Sequence, residues 1–224
     1  MSSDNTGAAG YLAELRRCLD EIETQNVAAM ADEIFRAYQH GNSVYIFGNG
    51  GSATTASHMA CDLAKTAAAP GKPRIRAFSL CDNTAMLTAI ANDMGYDAVF
   101  VYQLEGSLAP GDVAVAISAS GNSPNVVKAA AFAREQGARV VAFTGFGGGK
   151  LKELADVYIT LESRDYGPVE DAHLILEHMI TEMVRGRVAK ITQYIRGYEE
   201  MTETEEEIQL AEQLSKEILD KEPW

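Results

Sequence analysis

Residues 112–137 read DVAVAISASGNSPNVVKAAAFAREQG, and this stretch decides the fold. Asp112–Ser118 is almost continuously apolar, the mark of a strand covered on both faces of a sheet. At Ser118 the pattern changes to small residues and hydroxyls as far as Ser123. A helix over Pro124–Gln136 follows, with Ser123 as N-cap, Pro124 at the first helical position and Gly137 just past the end. A buried strand that turns directly into a capped helix is one unit of a parallel α/β protein.

Working outward, the same unit recurs. Upstream, Ser43–Phe47 is a short apolar strand closed by glycines, and Ser52–Thr66 reads as its helix. Arg74–Leu80 is a strand with alternating faces, followed by a short helix over Thr84–Ala91. Downstream, Arg139–Thr144 and Val157–Leu161 are strands, and Pro168–Val188 is a long helix. Strands alternating with helices predict an α/β fold, a three-layer α/β/α arrangement around a five-stranded parallel sheet. Ahead of the first strand, Leu12, Leu15, Leu19, Ile22, Met30 and Ile34 mark one long helix, whose stripe is expected to pack on a neighbouring subunit. Past Val188, Ile208, Ala211, Leu214 and Ile218 mark an extra C-terminal helix, expected to pack on the body or on another subunit. The chain thus divides into a disordered N-terminus (1–10), one core domain (11–188) and a helical extension (189–224).

Bulk properties narrow the function. The 224 residues are 46% apolar, enough for a substantial core, yet no run approaches the roughly 20 apolar residues of a membrane span. The net charge of −13 repels nucleic-acid phosphate, which argues against DNA or RNA as a partner. Residues 1–10 lack the basic and apolar segments of a secretory signal. Cys18, Cys61 and Cys81 are scattered, which fits a reducing cytoplasm better than a disulfide framework.

Two loops carry the chemistry of anion binding. Gly48-Asn49-Gly50-Gly51-Ser52 leaves a buried strand and opens a helix. Glycines permit the bend and the close approach of a ligand, and the helix start offers unpaired N–H groups. Ser118-Ala119-Ser120-Gly121-Asn122-Ser123 does the same with three hydroxyls, a donor set suited to the oxygens of a phosphate. The first loop also fits the dinucleotide pattern G-x-G-x-x-A. That reading is disfavoured, because residues 1–47 precede it and no acidic residue closes the next strand at the ribose distance. A third constellation is a histidine–carboxylate set. His58 and Asp62 share a helix face, and Glu170 and His178 lie near one face of the last helix, about 12 Å apart along its axis. Glu170 joins the others only by reaching in from the helix start. Two imidazoles and two carboxylates suit Zn²⁺ or another divalent cation. His173 and Glu177 form a competing pair at i, i+4.

Together these motifs resemble the sugar isomerase (SIS) domain family, specifically the phosphoheptose isomerases. The resemblance covers about Tyr11 to Val188. It rests on GNGGS at 48–52, His58, Ala91-Asn92-Asp93 with Gly95-Tyr96, SASGNS at 118–123, Thr144-Gly145 with Gly148-Gly149, and E-x-x-H-x-x-x-x-H from Glu170 to His178. It implies a five-stranded α/β/α core and a homotetramer with active sites between subunits. It also implies a zinc-assisted isomerisation of sedoheptulose 7-phosphate to glycero-manno-heptose 7-phosphate. By position, Asn49, Gly50, Gly51, Ser52, Asn92, Asp93, Ser118, Ala119, Ser120 and Ser123 would hold the phosphorylated sugar, with Asp62 and Glu170 also touching it. His58, Asp62, Glu170 and His178 would form the metal site. Asp62 or Glu170 would be the base of a cis-enediol mechanism, with His178 as partner acid. The family usually has Glu at position 62 and Gln at position 170, so this chain shortens one carboxylate and adds another. The rivals are another sugar-phosphate isomerase, and a non-catalytic family member that binds a phosphosugar or a protein partner. A protein-binding relative lacks the final-helix histidine, so His178 favours an enzyme.

Overall fold

The computed structural model describes residues 7–201 together with 209 and 213, with side chains to 191 and at those last two positions. The elements, in chain order, begin with α1 (Ala8–Asp20), α2 (Thr24–Gln39), β1 (Ser43–Gly48) and α3 (Gly51–Cys61). A π-helical turn over Asp62–Thr66 leads to β2 (Arg76–Ser79), α4 (Thr84–Met94) and, after a 3₁₀ turn over Tyr96–Ala98, α5 (Val101–Glu105). Then come β3 (Val113–Ser118), α6 (Pro124–Glu135), β4 (Arg139–Thr144), α7 (Gly149–Leu154), β5 (Val157–Thr160) and α8 (Tyr166–Met201). The five strands form one parallel sheet, as expected from the alternating pattern, and their order is β2-β1-β3-β4-β5.

The alternation of side chains along the central strands separates two cores. Val44, Ile46, Val113, Val115, Ile117, Val141 and Phe143 face α1, α2, α3 and α8. Tyr45, Phe47, Ala114, Ala116, Val140 and Ala142 face α4 to α7. In β3 the first face is all branched and the second all alanine. The alanine face meets Ala129, Ala130 and Ala133 of α6, so that helix lies close on the sheet. Both faces are fully buried, which explains why β3 reads as a continuous apolar run.

The chain starts at β1, runs outward to β2, then returns to β3 on the other side of β1. The strand order therefore reverses between β1 and β3, and a crevice opens there at the carboxyl ends of the strands. Gly48 at the end of β1 pairs with Ile117 next to the end of β3, so the two loops leave the sheet side by side.

The N-terminal helical region departs from expectation. It breaks at residues 21–23, where Glu23 takes an extended conformation and its carboxylate accepts from the amides of Gln25 and Asn26. No glycine or proline marks the break, and the apolar spacing continues across it. Part of the stripe is buried within the chain: Met30 and Ile34 are inaccessible, Leu15, Leu19 and Ile22 are half-buried against the same core, and α1 and α2 both pack on α8, while Leu12 remains exposed. Helix α1 begins at Ala8, inside the stretch expected to be disordered. Helix α8 continues unbroken to Met201, past the expected end at Val188. The stripe at Ile208, Ala211, Leu214 and Ile218 lies outside the described residues. No helix among the described residues is long and apolar enough to cross a membrane.

Candidate active site

The first loop is shaped by close approaches. Gly50 has φ 57, a left-handed conformation that favours glycine, and it precedes α3. A Cβ on Gly48 would lie 2.7 Å from the carbonyl oxygen of Ile117, so β1 and β3 approach too closely there for any side chain. A Cβ on Gly51 would lie 2.3 to 2.7 Å from the carboxylate atoms of Glu170. Glu170, at the start of α8, thus rests directly on the opening of α3. Ser52, like Ser118 of the second loop, is buried.

The second loop keeps its hydroxyls together. Ser118 and Ser123 Oγ atoms lie 3.3 Å apart, and Ser120 Oγ accepts from the backbone N–H of Asn122 at 3.2 Å. Ser123 occupies the N-cap position of α6, as expected, but its side chain makes no capping bond. The Ser123 hydroxyl therefore remains available to an anion, as does the Asn125 N–H of the first turn, whereas Val126 N–H is taken by Asn125 Oδ1 at 3.0 Å. The loop is pinned from behind. A Cβ on Gly121 would fall 1.9 Å from the Gly148 carbonyl oxygen, and Ala119 O accepts from Gly145 N–H at 2.8 Å.

An amide pair joins the two loops. Asn49 donates to Asn125 Oδ1 and Asn125 donates to Asn49 Oδ1, both at 2.9 Å, while the Tyr96 hydroxyl donates to Asn49 Oδ1 at 3.0 Å. Asn125 was not singled out from the sequence, where a polar residue in the first turn of a helix carries no special signal. Asn92 and Asp93 are exposed on α4 and bond to each other at 2.8 Å. The structure does not bring them against either loop through any hydrogen bond.

The histidine–carboxylate set forms, with one exchange of partner. His58 Nε2 lies 3.6 Å from Asp62 Oδ2, and His178 Nε2 lies 3.9 Å from the same oxygen. The two imidazoles meet edge to face, with centroids 4.9 Å apart. Asp62 stands where α3 passes into the π-helical turn, and Thr66 donates to its other oxygen at 2.9 Å. The fourth member is Glu177, not Glu170: Glu177 Oε1 is 3.6 Å from His58 Nδ1 and 3.5 Å from His178 Nε2. Residue 170 sits two helical turns, about 10 Å, before 177, which carries it to the first loop instead.

The other pair suggested by spacing separates. His173 turns to the end of β4, where its Nε2 lies 3.2 Å from Thr144 O. Burial pushes its imidazole down to about 4, against the opposing effect of that carbonyl. Burial likewise pushes the Glu177 carboxyl up, opposed by the adjacent His178 and His58 imidazoles.

The four groups fit a divalent cation. One ligand atom from each of His58, Asp62, Glu177 and His178 can be chosen so that all lie within 4.8 Å of one another. Glu177 Oε1 is buried without a hydrogen-bond partner, an arrangement that a cation would satisfy. Two imidazole nitrogens and two carboxylate oxygens are a donor set suited to Zn²⁺ and related ions.

The SIS domain profile matches residues 10–145, more than half of the chain. The phosphoheptose isomerase of Mycobacterium tuberculosis is 44% identical over 165 residues, covering 74% of this chain and 84% of that one. This chain belongs to the SIS domain family of phosphoheptose isomerases. A probable phosphoheptose isomerase of Thermoplasma acidophilum is 40% identical over 177 residues, 79% of this chain and 97% of its own. Among solved structures, the phosphoheptose isomerase of Neisseria gonorrhoeae matches with a TM-score of 0.74 at 31% identity, covering 80% of this chain and 96% of that chain. The phosphosugar crevice inferred from the two loops and the enzyme inferred from His178 agree with this membership.

Proposed function

We propose that this protein interconverts sedoheptulose 7-phosphate and glycero-manno-heptose 7-phosphate through a cis-enediol. The observation that carries the reading is that the two loops leave the sheet side by side at the strand-order reversal, one with clustered hydroxyls and the other opening the helix that carries His58 of the histidine–carboxylate cluster. Ser118, Ser120 and Ser123, with the start of α6, hold the phosphate. That remote grip orients the sugar chain toward α3 and α8. Asn49, Gly50 and Gly51 line the sugar side, and Asn92 and Asp93 are assigned to substrate by the family pattern. Ser52, at the start of α3, is assigned to the substrate with them.

The reaction moves one proton between neighbouring carbons. A carboxylate, Asp62 or Glu170, takes it from the carbon beside the carbonyl, and His178 handles the proton on the oxygen side. His58, Asp62 and His178, with a carboxylate from α8, would hold Zn²⁺ or another divalent cation. Such an ion supplies Lewis-acid polarisation of the sugar oxygens.

A cytoplasmic homotetramer with active sites between subunits completes the proposal. Its support is the free thiol state of all three cysteines and the apolar surface at Phe78, Met86, Met94 and Tyr96. An isomerase assay on sedoheptulose 7-phosphate tests the core claim. Turnover abolished by a chelator and restored by Zn²⁺ is expected; no turnover with any divalent metal would overturn the reading.

A further inference from the structure

Asn49 stands in the first loop with most of its amide already taken. Its Oδ1 accepts two bonds, from Asn125 Nδ2 at 2.9 Å and from the Tyr96 hydroxyl at 3.0 Å. Its Nδ2 gives one hydrogen to Asn125 Oδ1 at 2.9 Å. An amide oxygen has two lone pairs and an amide nitrogen two hydrogens. The Asn49 carbonyl is therefore full, and among the described residues one of its N–H groups has no partner. The backbone sets the direction of the pair. Asn125 is buried, and its Oδ1 also accepts from Val126 N–H at 3.0 Å. A backbone N–H only donates, so the Asn125 oxygen stays on that side and its nitrogen faces Asn49. Turning the Asn49 amide over would then set oxygen against oxygen and nitrogen against nitrogen. Tyr96 reaches the same oxygen from the 3₁₀ turn after α4, which fixes Asn49 from a third segment of chain.

We propose that Asn125 and Tyr96 are positioning residues that hold the Asn49 amide so that its one remaining N–H is offered to an acceptor oxygen at the reacting end of the sugar. This rests on the phosphosugar isomerase reading above and deepens it. The chemistry of the contact is specified, because a sugar hydroxyl that tried to donate to Asn49 would find both lone pairs occupied. The sugar must present a lone pair instead, and the carbonyl oxygen beside the departing proton is one. Negative charge grows on that oxygen as the proton leaves, so a fixed N–H bonds it more strongly in the transition state than in the ground state. The contribution therefore falls on kcat rather than on KM.

A double-mutant cycle in steady-state kinetics on sedoheptulose 7-phosphate, with the full-length protein, tests the arrangement. Tyr96→Phe keeps the ring and removes only a hydroxyl from an exposed residue, so Tm should hold. Its kcat should fall about two- to tenfold, the scale of one neutral hydrogen bond, with KM little changed. Asn49→Ala should lower kcat about tenfold or more. Adding Tyr96→Phe to Asn49→Ala should then cost nothing further, because Tyr96 acts only through Asn49. Asn125→Ala is expected to show the same non-additivity with Asn49→Ala, whatever it does to Tm, and the Tyr96 cycle decides the matter alone if that variant does not fold. Equal losses from Tyr96→Phe in the wild-type and Asn49→Ala backgrounds overturn the positioning role, as does no loss in the wild type. Losses confined to KM overturn the placement of the Asn49 N–H at the reacting end. A wild type that turns over no sedoheptulose 7-phosphate overturns the functional reading, and this proposal with it.

Discussion

The two loops at the strand-order reversal differ in what faces them. Both end a buried strand and open a helix, and the sequence makes them look like equivalent phosphate loops. The second presents three hydroxyls and a helix start that Ser123 does not cap. The first carries a carboxylate on its helix opening, because Glu170 lies against Gly51. A dianionic phosphate and a carboxylate repel across a few ångströms by several kcal/mol at an effective dielectric of about 20. In the proposed function the phosphate is therefore assigned to the second loop, and the first to the reacting end of the sugar. The same backbone device serves two purposes, and one side chain from a distant helix decides which.

The largest expected effect follows from that division. Asp62→Asn removes the proton acceptor at the position where the family carries Glu, without changing its bulk, and kcat should fall about 10²- to 10⁴-fold, whereas Glu170→Gln installs the family's usual residue and should keep most of the activity. KM should move little, since the phosphate grip is intact. Steady-state kinetics on sedoheptulose 7-phosphate checks both numbers, and a rise in KM at unchanged kcat would place the phosphate on the first loop instead.

Glycines in the two loops should respond oppositely to the same change. Gly121→Ala drives a Cβ against the backbone carbonyl of Gly148 at a position with φ 64. Overpacking and left-handed strain together predict a loss of about 2 to 6 kcal/mol in stability. Gly51→Ala meets only the end of the Glu170 side chain, which can swing away. Its stability should be nearly unchanged while kcat falls, because the displaced Glu170 lies on the loop assigned to the reacting end of the sugar. Thermal unfolding beside kinetics on both variants tests the contrast.

The second loop also has a support that titrates. His173 holds Thr144 O, and the next residue, Gly145, donates to Ala119 O in the loop. The imidazole is held near 4 in the folded protein, below the unfolded value of about 6.5. The unfolded chain thus takes up the proton first as pH falls. Stability from this group is full above pH 6.5 and declines to a floor near pH 4, by on the order of 3 kcal/mol. Denaturant unfolding at pH 7 and pH 4, with His173→Gln as control, measures it. A pH dependence unchanged in the variant would assign the acid sensitivity elsewhere.

How much of this was legible in the sequence depends on whether the signal is local. The strands and their order of appearance came from apolar runs, and β3 was readable because burial on both faces leaves no polar position. His58 with Asp62 was readable from i, i+4 spacing. The break before Glu23 was not, because no glycine or proline announces it and the apolar spacing runs across it. The exchange of Glu170 for Glu177 was hidden for a different reason. Both lie on α8 at spacings that allow a partnership with His178, and only the packing of α3 on α8 selects between them. The Asn49–Asn125 pair spans 76 residues, so no local pattern could reveal it.

The smallest effect discriminates most finely between the loops. Ser123 occupies an N-cap position without making the capping bond. As a working cap, its replacement by alanine would cost about 1 kcal/mol of stability. As a phosphate donor, Ser123→Ala should leave Tm unchanged and lose one hydrogen bond to a charged ligand, about 1.5 kcal/mol, or roughly tenfold in KM. kcat should hold, because the bond is made equally in ground and transition states. Inhibition by inorganic phosphate should weaken in parallel, whereas a change confined to the first loop would leave phosphate inhibition intact. A Tm lowered by several degrees with KM unchanged would return Ser123 to the role of an ordinary helix cap and leave the phosphate to Ser118, Ser120 and the backbone.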